Sequence, residues 1–194
     1  LIHEYYTPSN LCLELGRVLR RSVNLMSSTG GVLRALEPSA GIGRFVHALS
    51  LPGYDTVSWT AVEYSSVSAA LLRALRPDIR VVEGSFEKFV SQEEGTLSGS
   101  LDLVVSNPPY GERGASANED PHPDYRERKA SAYFLRRGLD LLKAGGIGVF
   151  LIPYGFLTGQ SPEALSLRKR VLRRHHLMAA FRLPSGLFPG ANLV

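Results

Sequence analysis

The apolar positions of the chain change period several times, and each change marks an element. Leu11, Leu15, Val18, Leu19, Leu25 and Met26 recur at helical spacing. With Thr7 as N-cap and Pro8 at the first helical position, they predict a helix running to residue 27 with one buried face. A loop at 27–31 leads to the short apolar run 32–36, a buried strand. Small residues and two glycines then open onto an apolar helical stretch at 45–49. A second strand is predicted at 57–63 and a third at 79–83; between them Ser65 caps a helix that contains Val67, Leu71 and Leu75 and stops before Pro77. Residues 84–89 follow the third strand, and a fourth is predicted at 101–106. A helix at 129–143 carries Phe134, Leu135, Leu139 and Leu142 on one face and stops at Gly145-Gly146, ahead of a fifth strand at 147–152. A helix at 162–176, a sixth strand at 177–183 and a turn at 184–189 complete the predicted elements.

Regular alternation of strand and helix predicts an α/β fold: a doubly wound, mostly parallel sheet flanked by helices, with active groups at the carboxyl ends of the strands. Residues 1–194 read as one domain, without internal repeat or low-complexity tract. Residues 111–128 are polar, aperiodic and too long for a simple connection, which suits either a substrate-contacting lid or a disordered insertion. Asn192-Leu193-Val194 reads as the opening of a further strand, so the sheet is expected to be truncated before its last strand.

Composition narrows the class. A chain of 194 residues with 44% hydrophobic positions, 19 Gly and 12 Pro suits one α/β domain with a proper core. No apolar run approaches the roughly 20 residues needed to cross a bilayer, and the N-terminus does not resemble a signal segment, so a soluble, cytoplasmic protein without membrane partners is expected. Cys12 is the single cysteine and the five histidines are scattered, which gives neither a disulfide nor metal-ligand spacing. A net charge of +4 permits a nucleic-acid partner without requiring one. The basic run of Arg168, Lys169, Arg170, Arg173, Arg174, His175 and His176 reads as a solvated helix face or as a phosphate contact.

The candidate chemistry lies at two strand ends. After the first strand, Glu37-Pro38-Ser39-Ala40-Gly41-Ile42-Gly43 is a nucleotide-type turn whose small residues let a ligand approach the backbone and the amides opening the next helix. Glu63 ends the second strand about twenty residues later, where a doubly wound fold places the acid that grips a ribose diol. The fourth strand runs directly into Asn107-Pro108-Pro109-Tyr110. Asn107 offers an amide, Pro108 a carbonyl with no neighbouring N–H of its own, and Tyr110 a flat ring. Two acceptors and a stacking face suit a planar group bearing an exocyclic amine; a proline-rich turn closing a strand is the plainer alternative.

Taken in order, Tyr-Thr-Pro before the first helix, Glu-Pro-Ser-Ala-Gly-Ile-Gly after strand one, Glu63 after strand two, the tetrad after strand four and Phe188-Pro189 after strand six resemble the N6-adenine DNA methyltransferases. The resemblance spans Tyr5 to Pro189 and implies S-adenosyl-L-methionine as cofactor and a DNA adenine, flipped from the duplex, as substrate. It assigns Thr7, Pro8, Pro38, Ser39, Ala40, Gly41, Glu63, Ser85, Phe86 and Asn107 to the cofactor, with Asn107 and the Pro108 carbonyl also receiving the target amine. Tyr110 would stack on the target base, and Phe188 would close on its other face or serve as a core aromatic. The chain departs from the family at Ser85, where an acid usually receives the adenine amine of the cofactor; that contact is expected to weaken, shift to Ser85 or Glu87, or pass through water. No target-recognition domain is evident, so flanking domains or a partner subunit are expected to supply sequence specificity. Two alternatives share the pattern: methylation of a release-factor glutamine or a ribosomal RNA base, and a non-catalytic methylase-like module that binds DNA.

Overall fold

A computed structural model describes residues 6–27, 31–50, 57–184 and 186–188. The elements are helix α1 (Ser9–Ser27), strand β1 (Leu33–Glu37), helix α2 (Arg44–Ala48), strand β2 (Val57–Glu63), helix α3 (Ser66–Leu75), strand β3 (Arg80–Glu83), helix α4 (Phe86–Leu97) and strand β4 (Leu101–Ser106). A 3-10 turn at Gly114–Asn118 precedes helix α5 (Ala130–Asp140), strand β5 (Leu142–Phe150), the short helix α6 (Gly155–Thr158) and helix α7 (Pro162–Leu172). The five strands form one parallel sheet in the order β3-β2-β1-β4-β5. Chain order reverses between β1 and β4, the switch point outside whose strand ends an open α/β sheet binds its ligand.

Alternation along the strands builds a core on each face. Leu33, Ala35, Leu103 and Val105 pack with Cys12, Leu19, Phe45 and Val46 beneath α1 and α2. Leu36 and Val104 point the other way, into Phe86, Phe89, Val90, Tyr133 and Phe134 of α4 and α5. Helix α3 turns its small side inward: Ser68, Ala69 and Leu72 are buried, whereas Val67, Leu71 and Leu75 are exposed. The reason lies at Gly43, whose left-handed φ of 78° and missing Cβ let α3 close in; a Cβ there would meet Leu72 Cδ1 at 2.4 Å.

Several sequence expectations need correction. Helix α5 ends at Asp140, and β5 already begins at Leu142 and runs through Gly145-Gly146. Residues 86–97 form a helix, and its signal was present: Ser85 caps it, accepting from Lys88 N, and Phe86, Phe89, Val90 and Leu97 fall on the buried face. Residues 177–183 run outside the sheet, with Leu177 at 61%, Met178 at 79% and Phe181 at 73% exposure. A strand needs a ladder partner, and among the described residues this segment pairs with nothing, so β5 remains an edge. The loop at 111–128 is ordered: Glu112 bridges to Lys129, Arg113 N donates to Arg128 O at 2.9 Å, and the Tyr133 hydroxyl donates to buried Asp120 at 2.7 Å. Among the described residues no helix is long and apolar enough to cross a membrane, and no cluster could hold a metal ion.

Candidate active site

The switch point brings the two candidate stretches together. Loop 38–43 leaves β1 and the tetrad leaves its neighbour β4, with Ser39 as the joint between them. The Ser39 hydroxyl donates to Asn107 O at 2.8 Å and lies 3.0 Å from Ser106 Oγ. A hydroxyl has one proton, so Ser106 is the donor in the second contact. The tetrad backbone is thereby fixed to the loop.

Glu63 reaches the loop from β2. Its carboxylate accepts from Gly41 N at 2.6 Å and Ser65 N at 2.7 Å, while Ala40 N donates to Val62 O at 2.9 Å. These bonds hold an acid and a run of backbone side by side. Gly41, at φ 54°, lies under the Tyr6 ring, which a Cβ would approach to 3.3 Å. The Tyr6 hydroxyl pairs with Ser68 Oγ at 3.2 Å, so the segment before α1 is strapped over the loop.

That strap reaches the tetrad through Thr7. The first helix begins at Ser9, and the Thr7 hydroxyl serves as partner to the tetrad instead of capping: Asn107 Nδ2 donates to Thr7 Oγ1 at 3.1 Å. Arg44 pins the same residue from α2, donating to Thr7 O at 2.7 Å with its guanidinium over the Tyr6 ring. Sequence reading assigned no role to Arg44. With Nδ2 committed to Thr7, Asn107 Oδ1 faces the other way and accepts from the Tyr110 hydroxyl at 2.8 Å. Burial pushes the Tyr110 phenol up to about 12, so it stays a donor at neutral pH. Pro108 is buried and Pro109 exposed.

Of the other expected residues, Pro38 and Ala40 are buried in the loop and Pro8 is half-buried ahead of α1. Phe86 is 1% exposed and packs against Phe134 and Tyr133, in the core and not on the crevice wall. Ser85 is buried at the end of β3, where its hydroxyl donates to Glu119. Glu87 turns away, 3.1 Å from Arg113 inside the protein. Phe188 is half-buried, with no ring contact to Tyr110 among the described residues; Tyr5 and Pro189 lie outside them.

Glu37, at the root of the loop, was read only as part of the turn. It is buried, its Oε2 has no hydrogen-bond partner, and burial followed by the nearby Glu63 charge raises its pKa well above the usual carboxyl range. A carboxyl that holds its proton more tightly when folded contributes stability that is full below its unfolded pKa and is lost as pH rises through the folded value. Glu37→Gln removes this dependence. Its thermal midpoint relative to wild type is expected to rise between pH 5 and pH 8; a difference independent of pH would show that Glu37 does not titrate in this way.

The basic residues beyond the tetrad are largely used internally. Arg136 pairs with Glu127, Arg137 with Asp120 and Glu94, and Arg174 and His175 with Asp140. Asp140 ends α5 just ahead of β5, and its carboxylate gathers Arg174 and His175 from the segment that follows α7.

A sheet of this topology with its crevice at the switch point is the fold of class I S-adenosylmethionine-dependent methyltransferases. A Listeria monocytogenes protein assigned to that class superposes with a TM-score of 0.71 at 18% identity, over 94% of this chain and 56% of that one. The methyltransferase subunit of a Streptococcus thermophilus type I restriction-modification system gives 0.62 at 18% identity, over 88% and 39%. Residues 62–188 match the Eco57I restriction-modification methylase family, to which the chain belongs. It is also 33% identical over 187 residues to the defense against restriction protein B of Escherichia phage P1, spanning 96% of this chain and 8% of that much longer protein. The cofactor implied by fold and family is S-adenosyl-L-methionine, and the residues at the switch point fit it: a buried acid bound to the backbone of the glycine loop, and an unpartnered polar atom at Glu37.

Proposed function

We propose that this chain transfers a methyl group from S-adenosyl-L-methionine to the exocyclic N6 amine of an adenine flipped out of DNA. The observation that carries this reading is the junction of the tetrad with the glycine loop at the switch point, where Thr7 holds the Asn107 amide and turns Oδ1 outward. When bound, the cofactor supplies an electrophilic methyl group on a sulfonium. Pro38, Ser39, Ala40 and Gly41 would line its binding site, Glu63 would accept from its ribose hydroxyls, and Thr7, Pro8 and Asn107 would border its methionine end.

An aromatic amine is a poor nucleophile because its lone pair is delocalised into the ring. Asn107 Oδ1 and the Pro108 carbonyl, accepting its two hydrogens, favour the pyramidal arrangement in which that pair is localised for attack. Oδ1 has two lone pairs, so it can accept from the amine while keeping the Tyr110 hydroxyl. Orientation and fixed dipoles provide the catalysis, and the methylated amine is acidic enough to lose its proton without a dedicated base. A base inside a duplex cannot reach the Asn107 amide, so flipping is required, and the Tyr110 ring would replace part of the lost stacking.

DNA is favoured over RNA or a release factor because the family and the phage relative are both named for restriction, and methylating a DNA base is a direct chemical way to alter cleavage by an endonuclease. The inward pairing of Arg136 and Arg137 supports target recognition by flanking domains or a partner subunit. Incubating the protein with methyl-labelled cofactor and DNA, ribosomal RNA or release factor should put label only in DNA, recovered as N6-methyladenine. Label in RNA or protein alone would overturn the substrate, and failure to bind cofactor with an intact fold would favour a non-catalytic DNA-binding module.

A further inference from the structure

Ser85 is buried at the end of β3, and its hydroxyl joins two partners. The oxygen accepts from Lys88 N at 3.1 Å, capping α4, and the proton goes to the carboxylate of Glu119, thirty-four positions away on the ordered loop. Glu119 follows the 3-10 turn, its amide held by Ser116 O at 2.9 Å, and its carboxylate lies at the start of the 12-residue α4, where unpaired amides favour negative charge. Sequence separation hides this pairing; the fold delivers an acid to the strand end where the chain itself has only a serine.

The location carries the consequence. Gly84, next to Ser85, donates its amide to Glu63 O at 2.9 Å, so Glu119 stands one strand outward from Glu63 along the same edge. Moving outward from the switch point, the edge presents the glycine loop of β1, the acid of β2 and then the Glu119 carboxylate at β3. A nucleoside has a diol on its sugar and, if the base is adenine, an amine as donor at the far side. A carboxylate accepts from that amine and repels the carbonyl that a deaminated base has in its place.

We propose that Glu119, oriented by Ser85, receives the exocyclic amine of the cofactor's adenine ring and selects an adenosyl over a deaminated cofactor. This rests on the cofactor reading above. It also couples cofactor occupancy to the 111–128 loop, which runs directly on from the tetrad.

Calorimetric titration with S-adenosylhomocysteine and its deaminated analogue S-inosylhomocysteine tests the assignment. Wild type should prefer the adenosyl ligand by about tenfold or more, the value of a hydrogen bond to a charged group. Glu119→Ala should lose about tenfold toward the adenosyl ligand and little toward the inosyl one. Adding Ser85→Asp to that variant, which keeps a capping oxygen and restores a carboxylate, should recover the preference. Unchanged adenosyl affinity in Glu119→Ala, or equal loss for both ligands, overturns the assignment. Wild type that binds neither ligand while retaining its circular dichroism overturns the cofactor reading, and the assignment with it.

Discussion

Asn107→Ala is expected to slow methyl transfer by about 10²–10³-fold, the usual cost of removing one preorganised polar group from a transition state. The dissociation constant for S-adenosylhomocysteine should stay within about threefold of wild type. The split follows from the geometry. Asn107 is tied to the loop through its carbonyl, which accepts from Ser39, and alanine keeps that bond. What is lost is Oδ1, the acceptor beside Tyr110, together with the Nδ2 contact to Thr7. Thr7 remains anchored by Arg44 through its own carbonyl, so the strap over Gly41 should hold. Single-turnover rates with saturating DNA, alongside calorimetry, separate the two effects. A variant with wild-type rate would sink the mechanism, and one that lost rate and cofactor affinity together would show that Asn107 acts chiefly by supporting the cofactor.

The sheet was legible because its determinants are local. Buried runs such as 101–106 and small-residue turns such as 38–43 announce strand ends, and the order of motifs places the tetrad beside the glycine loop. The contacts that set the geometry of the site were not legible, because they join residues far apart in sequence. Asn107 to Thr7 spans one hundred positions, and Ser85 to Glu119 thirty-four. No periodicity records such pairs. Side-chain direction was also hidden: Phe86 looked available to a ligand, but it opens the buried face of α4 and packs inward against Phe134. The segment at 177–183 shows the opposite failure, in which strand-like composition forms no ladder with any described strand, although β5 offers an edge.

Arg113→Met should produce the largest loss of stability of any single change in the loop, about 3–5 kcal/mol, the cost of breaking a buried ion pair from one side. Arg113 and Glu87 are both buried, with Nε 3.1 Å from Oε1. The same guanidinium donates to the carbonyls of Tyr125 and Glu127 at 3.3 Å and lies 3.6 Å from the centroid of the Tyr133 ring. It therefore joins α4, α5 and both ends of the 111–128 loop. Methionine fills part of the volume but leaves the Glu87 carboxylate buried without its partner, against a total stability of only about 5–15 kcal/mol for a typical domain. Adding Glu87→Leu removes the stranded charge and should recover much of the loss, since replacing both members of a buried pair is often nearly neutral. Urea unfolding of the two variants measures this directly: equal destabilisation in single and double variants would mean that the carbonyl and ring contacts of Arg113, and not its charge pair, hold the loop. In either case the loop is what brings Glu119 to Ser85. Arg113→Met should thus also weaken S-adenosylhomocysteine binding under conditions where the protein is still folded, whereas the double variant, with the loop partly re-anchored, should bind more tightly than the single one.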